Sequence, residues 1–217
     1  MSAEAIELPL FPLDAVLFPG TVLPLHIFEP RYRRMVVDCQ SENIPFGVVL
    51  ARPESEHLRE VPYRVGTMAL IRDLDELEDG RYNVTTIGAQ RFRITGQHRE
   101  KPYLSGVVEP FEDDVQSGEI LFDVAKQARR LLGSYLELLL DVTNERDIEE
   151  NLPDTPEALS HLIAHLLDIK NEQKQRYLEM TSTQQRLQEE ISILRREVPF
   201  MRQFLLKTLP DDQARLN

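Results

Sequence analysis

Glycine and proline are unevenly spread along this chain: eight of nine glycines and ten of fourteen prolines fall within residues 1–118. Short apolar runs alternate there with turn residues. From Glu119 onward Leu, Glu, Gln and Arg dominate, and the apolar period lengthens from about two residues to about 3.6. Strands followed by helices make an α+β chain. The change near Gln116–Gly118 predicts two domains, residues 1–118 and 119–217.

In the first half, ELPLFPL carries Pro9 and Pro12, which have no N–H to give a ladder, so it reads as an edge strand or one paired on a single side. After a turn at Phe18, Pro19 and Gly20 comes a second strand, Val22 to Phe28. Pro30 suits the first turn of a helix, where its missing N–H costs nothing, and Tyr32, Met35, Val36 and Cys39 then recur on one face, predicting a helix over 30–41. FGVVLA and VGTMALI are apolar enough to be buried on both faces. Asp79-Gly80 marks a tight turn into RYNVTTIGAQRFRI, where Phe92 and Ile94 alternate with Arg91, Arg93 and Thr95 as buried and wet faces. With Tyr103 to Phe111 this makes six or seven strands and one inserted helix. A small closed or half-closed barrel is expected, because closure removes exposed strand edges.

The second half opens with a stripe of Leu121, Val124, Ala128, Leu131, Tyr135, Leu138 and Val142. Thr155-Pro156 is an N-cap and first-turn pair that opens a second helix with Leu159, Leu162, Ile163, Leu166 and Leu167 inward. A short helix spans about 173–179. The last carries Leu187, Ile191, Leu194, Val198, Met201 and Leu205 at coiled-coil spacing, with Pro199 expected to kink or split it. An α-helical bundle within one chain is the expectation, so a monomer is favoured; a dimer zipped along this seam is the alternative.

The catalytic classes fall away one by one. No GxGxxG or phosphate-binding loop occurs, nor a GxSxG nucleophile elbow. His161 and His165 stand four apart but lack the glutamate of a metalloprotease helix, and read as a solvated pair. The acids between Asp73 and Asp79 lack the ligand order of a calcium loop. Cys39, the single cysteine, reads as a small buried hydrophobe and excludes an internal disulfide. We therefore assign no catalytic residue, no metal and no cofactor. The amino-terminal sequence has no basic, unbroken apolar leader and no run reaches a membrane span of roughly 20 residues, so a cytoplasmic protein without a membrane partner is expected. A net charge of −12 disfavours nucleic acid.

One segment does stand out: LPLFPLDAVLFPGTVLPLHIFEPRYRRMVVDC, five prolines among large apolar groups, ending on a basic, aromatic helix start. Strand alternation sends Leu25 and Ile27 to one side and His26 and Phe28 to the other. A surface Phe28 beside His26 and Tyr32, with Arg31 and Arg34 near, would make a groove for apolar or acidic peptide segments. The alternative is that Phe28 and Tyr32 pack beneath the domain junction.

This segment, with FGVVL, VGTMALI, DGRYNVTTIGAQRFRI and PYLSGVVE in order behind it, resembles the amino-terminal, substrate-binding domain of Lon proteases, strongly over residues 6 to about 113 and more weakly through LLDIKNEQKQRYLEMTSTQQRL. The resemblance implies a PUA-like pseudo-barrel followed by a helical bundle, and a non-enzymatic module that recognises unfolded or exposed polypeptide segments or docks on a partner protein. Neither the ATPase nor the Ser-Lys peptidase motifs of a complete Lon protease occur in these 217 residues. A stand-alone Lon-domain protein, or a fragment of a longer one, is expected. The alternative function is RNA binding, since PUA-like barrels elsewhere hold RNA and Arg91, Arg93, Arg99 and Lys101 would line one side of the hairpin.

Overall fold

The computed structural model describes residues 5–52, 61–140 and 152–208. Its strands are β1 (Ile6–Leu13), β2 (Val22–Ile27), β3 (Phe46–Ala51), β4 (Pro62–Glu76), β5 (Tyr82–His98) and β6 (Ser105–Phe111). The helices are α1 (Pro30–Glu42), between β2 and β3, then α2 (Glu119–Leu140), α3 (Pro156–Leu166), α4 (Asn171–Glu179) and α5 (Thr183–Thr208). Among the described residues no helix is long and apolar enough to cross a membrane. The chain forms two compact units, Met1–Asp113 with Ala164–Thr181 and Asp114–Ile163 with Ser182–Asn217.

In the first unit the strands form one mixed six-stranded sheet in the order β2-β5-β4-β3-β1-β6, with an additional β5–β6 pairing. The α+β class holds, but the expected PUA-like pseudo-barrel of six or seven strands does not. A barrel of all six strands needs β2 to pair with β6, whereas β2 pairs with β5 alone and ends the sheet at an open edge. The reason lies in β5. Its first half, Tyr82–Ile87, takes β2, and its second half, Arg91–His98, takes β6, so the two shorter strands border different stretches of one long strand. Pro24, lacking an N–H, further unsuits β2 for pairing on both sides.

The prolines of β1 act more locally than an edge strand would require. Residues Ile6–Pro9 pair with β6, and residues Leu10–Leu13 pair in parallel with β3, so β1 lies inside the sheet while each half is paired on one side. Strand alternation divides the core. One cluster packs Tyr32, Met35, Val36 and Cys39 of α1 with Phe11, Ile27, Phe46, Val48 and Val84, while Leu8, Leu10, Val49, Met68, Phe92 and Val108 form a second. Close backbone approach explains two glycines. A Cβ on Gly66 would stand 2.4 Å from the Val48 carbonyl oxygen, and one on Gly88 2.2 Å from that of Phe18.

Arg91 departs from the alternation that placed it on a wet face: it is 1% exposed. Its guanidinium donates to the carbonyls of Leu178 and Met180 at 2.8 and 2.7 Å, pairs with Asp113, and lies 4.6 Å over the Phe111 ring. Phe111 and Asp113 lie at the end of β6 and just after it, whereas Leu178 and Met180 come from the segment that returns to the sheet after α3. A strand sequence alone does not reveal such a lid.

In the second unit, Leu121, Ala128, Leu132 and Tyr135 of α2 and Leu187, Ile191, Leu194 and Val198 of α5 are buried, and the two helices pack together. Leu132, rather than the expected Leu131, takes the inner position, while Val142 lies outside the described residues. Thr155 caps α3, its hydroxyl accepting from the Ala158 N–H at 3.3 Å. Buried Arg186 donates to the Ser160 hydroxyl at 2.6 Å, which donates in turn to Glu190 at 3.0 Å. The last helix runs through Pro199 as one element instead of splitting.

Two stability measurements follow. Arg91→Met removes the donor that serves Asp113 and the Leu178 and Met180 carbonyls; urea unfolding is expected to show a loss of about 3–5 kcal/mol, recovered only in part in Arg91→Met/Asp113→Leu, where the two carbonyls still lack their donor. Leu194→Ala should cost roughly 2–5 kcal/mol through a cavity. With the seam packed inside one chain, that loss is the same at every protein concentration; a concentration-dependent melting temperature would contradict intrachain packing.

Candidate functional site

The junction of β2 and α1 places the five sequence-derived candidates on two different surfaces. Ile27 is buried and Leu25 packs against the core, so His26 and Phe28 turn outward, as strand alternation requires. Phe28 is 61% exposed. Its ring stacks on His26 with centroids 6.3 Å apart and planes inclined by 28°. His26 is itself held at both nitrogens. Arg81 Nη1 lies 3.1 Å from Nε2, and Asn83 Oδ1 lies 2.9 Å from Nδ1. A guanidinium can only donate, so Nε2 accepts and Nδ1 donates.

Tyr32 is elsewhere. It is 4% exposed, 4.2 Å from Phe11 between ring centroids, and belongs to the core beneath α1. The reading that puts an aromatic under the structure therefore fits Tyr32, and the reading that puts one on the surface fits Phe28. Arg31 donates to Glu29 at 2.8–2.9 Å and also covers the Tyr32 ring, and Arg34 pairs with Asp38 at 2.8 Å. Arg81 pairs with Asp79 at 2.6 Å, and this contact and the Arg81 backbone N–H hold the Asp79 carboxyl below its usual range, the backbone bond foremost. Arg31, Arg34 and Arg81 are each answered by a carboxylate, and Arg33 donates to the Gly80 carbonyl at 3.1 Å. The patch is consequently aromatic with its charge compensated, and it suits an apolar segment better than an acidic one.

Arg81 and Asn83 were not among the sequence candidates. Asp79-Gly80 does signal the turn, with Gly80 at φ +74°, but the pairing of Ile27 with Tyr82 and His26 with Asn83 brings residues more than fifty positions apart to one corner, and no local pattern encodes it. Other expectations change as well. Of the proposed RNA-facing row, Arg91 points inward, while Arg93 lies 4.9 Å over Phe111. His161 is buried and His165 half-buried, not a solvated pair; burial, and then Lys174, depress the His165 pKa.

Comparison with known proteins places this geometry. A family model described as the ATP-dependent protease La (LON) substrate-binding domain matches residues 7–196. The chain is 30% identical over 201 residues to a Lon protease of Anaeromyxobacter dehalogenans, a match covering 88% of this chain and 23% of that protein. With the Lon protease of Escherichia coli the identity is 27% over 205 residues, covering 92% and 26%. The chain thus spans about a quarter of the length of these curated relatives. Among solved structures, a Lon N-terminal domain protein from Xanthomonas campestris superposes with a TM-score of 0.65 at 28% identity, covering 86% of this chain and 98% of that one. The N-terminal domain of a Mycobacterium avium complex Lon protease gives 0.69 at 18% identity, covering 87% and 98%, and shares the fold.

Cys39 lies on the buried face of α1, in the core. Burial, followed by the charges of Asp38 and Glu42, pushes its thiol up to about 12, so almost no thiolate exists near neutrality. A thiol-specific disulfide reagent at pH 8 is expected to react with folded protein far more slowly than with protein in denaturant. Equal rates in the two states would show that the thiol is accessible.

Proposed function

The chain belongs to the ATP-dependent protease La (LON) substrate-binding domain family, and from that membership we propose that it recognises exposed apolar segments of unfolded polypeptide, or of a partner protein, through the His26–Phe28 corner. The observation that carries the reading is a large aromatic ring held outward by a fixed neighbour. An aromatic anchor with its polar partners already placed loses little conformational freedom on binding. Arg81 and Asn83 position the His26 ring beneath it; Arg31 and Arg34 form the rim, and Tyr32 supports α1 from inside.

No catalytic step is assigned to this module. Its family description is that of a substrate-binding domain, and the sequence carries neither a phosphate-binding loop nor a nucleophile elbow. The lone, buried, reduced Cys39 suits a cytoplasmic setting. Nucleic acid is disfavoured by the charge of −12 and by the inward turn of Arg91.

The test is the binding of dye-labelled, unfolded casein measured by anisotropy. Wild-type protein should bind it without cleaving it and without hydrolysing ATP, and Phe28→Ala should weaken binding by roughly tenfold while leaving the melting temperature unchanged. Doubling the salt concentration should change affinity little, since the neighbouring arginines are paired. Undiminished binding by Phe28→Ala would remove this corner from the site, and catalytic turnover that copurifies with the chain would overturn the non-enzymatic reading.

A further inference from the structure

The turn that precedes β2 fixes which of its backbone groups face β5 and which face off the sheet. Pro19 and Gly20 stand at the centre of that turn, Gly20 at φ +76°, and the Thr21 N–H closes it on the Phe18 carbonyl at 3.2 Å. The Gly20 N–H then donates to the Gly88 carbonyl at 2.8 Å and the Gly88 N–H to the Thr21 carbonyl at 2.9 Å, a bulge with glycine at its first position. Antiparallel residue pairs alternate between bonded and unbonded, so, counting from Thr21–Gly88, the bonded partners are Leu23 with Thr86, Leu25 with Val84 and Ile27 with Tyr82. Val22, Pro24 and His26 therefore turn their main-chain groups away from β5. No strand among the described residues takes them.

Pro24 thus stands where β5 asks for no donor, and the outward edge offers N–H groups at Val22 and His26 and carbonyls at Val22, Pro24 and His26. The side chains at these three positions are exposed, Val22 at 44%, and Phe28 continues their row. Beyond Ala69, β4 also borders β5 alone, but exposed Arg72, Asp73, Asp75 and Glu76 guard that edge with charge. The edge from Val22 to Ile27 carries no acid, lysine or arginine. Unpaired donors and acceptors at strand spacing match one kind of ligand, another extended chain. A second copy of β2 is the poorer partner: a symmetric pair centred on Pro24 would lack both bonds at its middle, whereas an incoming segment with an N–H at that point still donates to the Pro24 carbonyl.

We propose that an extended segment of unfolded polypeptide adds to the sheet as a strand along β2, its backbone bonding to Val22, Pro24 and His26 and an apolar side chain resting on Phe28. The inference rests on the polypeptide-recognition reading and specifies that the segment is held through its main chain. Such recognition tolerates many sequences, because every residue other than proline supplies the same donor and acceptor.

Hydrogen exchange followed by NMR on the full chain reads this edge directly. Without ligand the Val22 and His26 amides should exchange fast, while those of Leu23, Leu25 and Ile27, bonded to β5, exchange slowly. A saturating eight-residue peptide of alternating Val and Thr should slow Val22 and His26 by about tenfold or more. N-methylation of alternate peptide amides, at the valines in one peptide and at the threonines in another, should weaken binding roughly tenfold in one case and hardly at all in the other, because only one edge of the guest strand faces β2. Phe28→Ala should weaken the unmethylated peptide and leave the protection of Val22 and His26 in place at saturation. Peptide binding that leaves both amides fast, or equal affinity of the two methylated peptides, would overturn strand addition while leaving polypeptide recognition standing. Failure of the chain to bind either the peptide or unfolded casein would overturn both readings. Protection that grows with protein concentration in the absence of peptide would show edge-to-edge pairing of two copies and overturn the assignment to a foreign segment.

Discussion

The first compact unit depends on one buried cation. Arg91 projects from the middle of β5, yet its partners are a carboxylate just after β6 and two carbonyls in the segment around α4. A guanidinium withdrawn from water loses its hydration, and only a full set of acceptors offsets the loss. Asp113, Leu178 and Met180 provide that set together, so none of the three segments is placed correctly without the others. This explains how residues 164–181 join the strand unit after fifty intervening residues. Gln175, reaching Val65, and Asn171, reaching the Asp14 carbonyl and carboxylate at 2.9 and 3.0 Å, are further ties of the same returning segment.

That tie also marks the limit of what a linear reading reveals. Features set by neighbouring residues were legible: Pro30 opening a helix, the buried face Tyr32, Met35, Val36 and Cys39, the Asp79-Gly80 turn, and the Thr155 cap all follow from local sterics and period. Arg91 was not, because alternation says only which side of a strand a residue faces. What covers that side is decided 87 positions away. The barrel expectation failed for a related reason. Six strands with turns between them fit several pairing schemes, and the deciding fact is that β5 is long enough to carry β2 and β6 on successive stretches of one edge.

The candidate site was half legible. Strand period correctly sends His26 and Phe28 outward and Ile27 inward, and helical period sends Tyr32 inward, so one aromatic is exposed and the other belongs to the core. What the sequence could not show was how each charge is spent. Arg31 and Arg34 look like a basic cluster in the sequence, but Glu29 and Asp38 answer them, as Asp79 answers the Arg81 that the fold brings to the same corner. Pairs this exposed contribute little to stability. Their larger effect is on recognition, since a compensated cation has less attraction left for an acidic ligand.

The exposure of Phe28 needs its own account, because a phenylalanine of this kind gains about 1.5–3 kcal/mol when fully buried. Nothing in the packing of β2 requires an aromatic there: Ile27 and Leu25 already seat the strand on the core. The ring is kept in place by His26, and His26 in turn by two residues of the neighbouring strand and turn, so the cost of ordering the platform is met during folding rather than on binding. An apolar segment arriving at this corner then gains burial against a rigid surface. A flexible surface phenylalanine would offer the same area and bind less tightly, which makes the Arg81–His26–Asn83 clamp as much a part of the proposed site as the ring it supports.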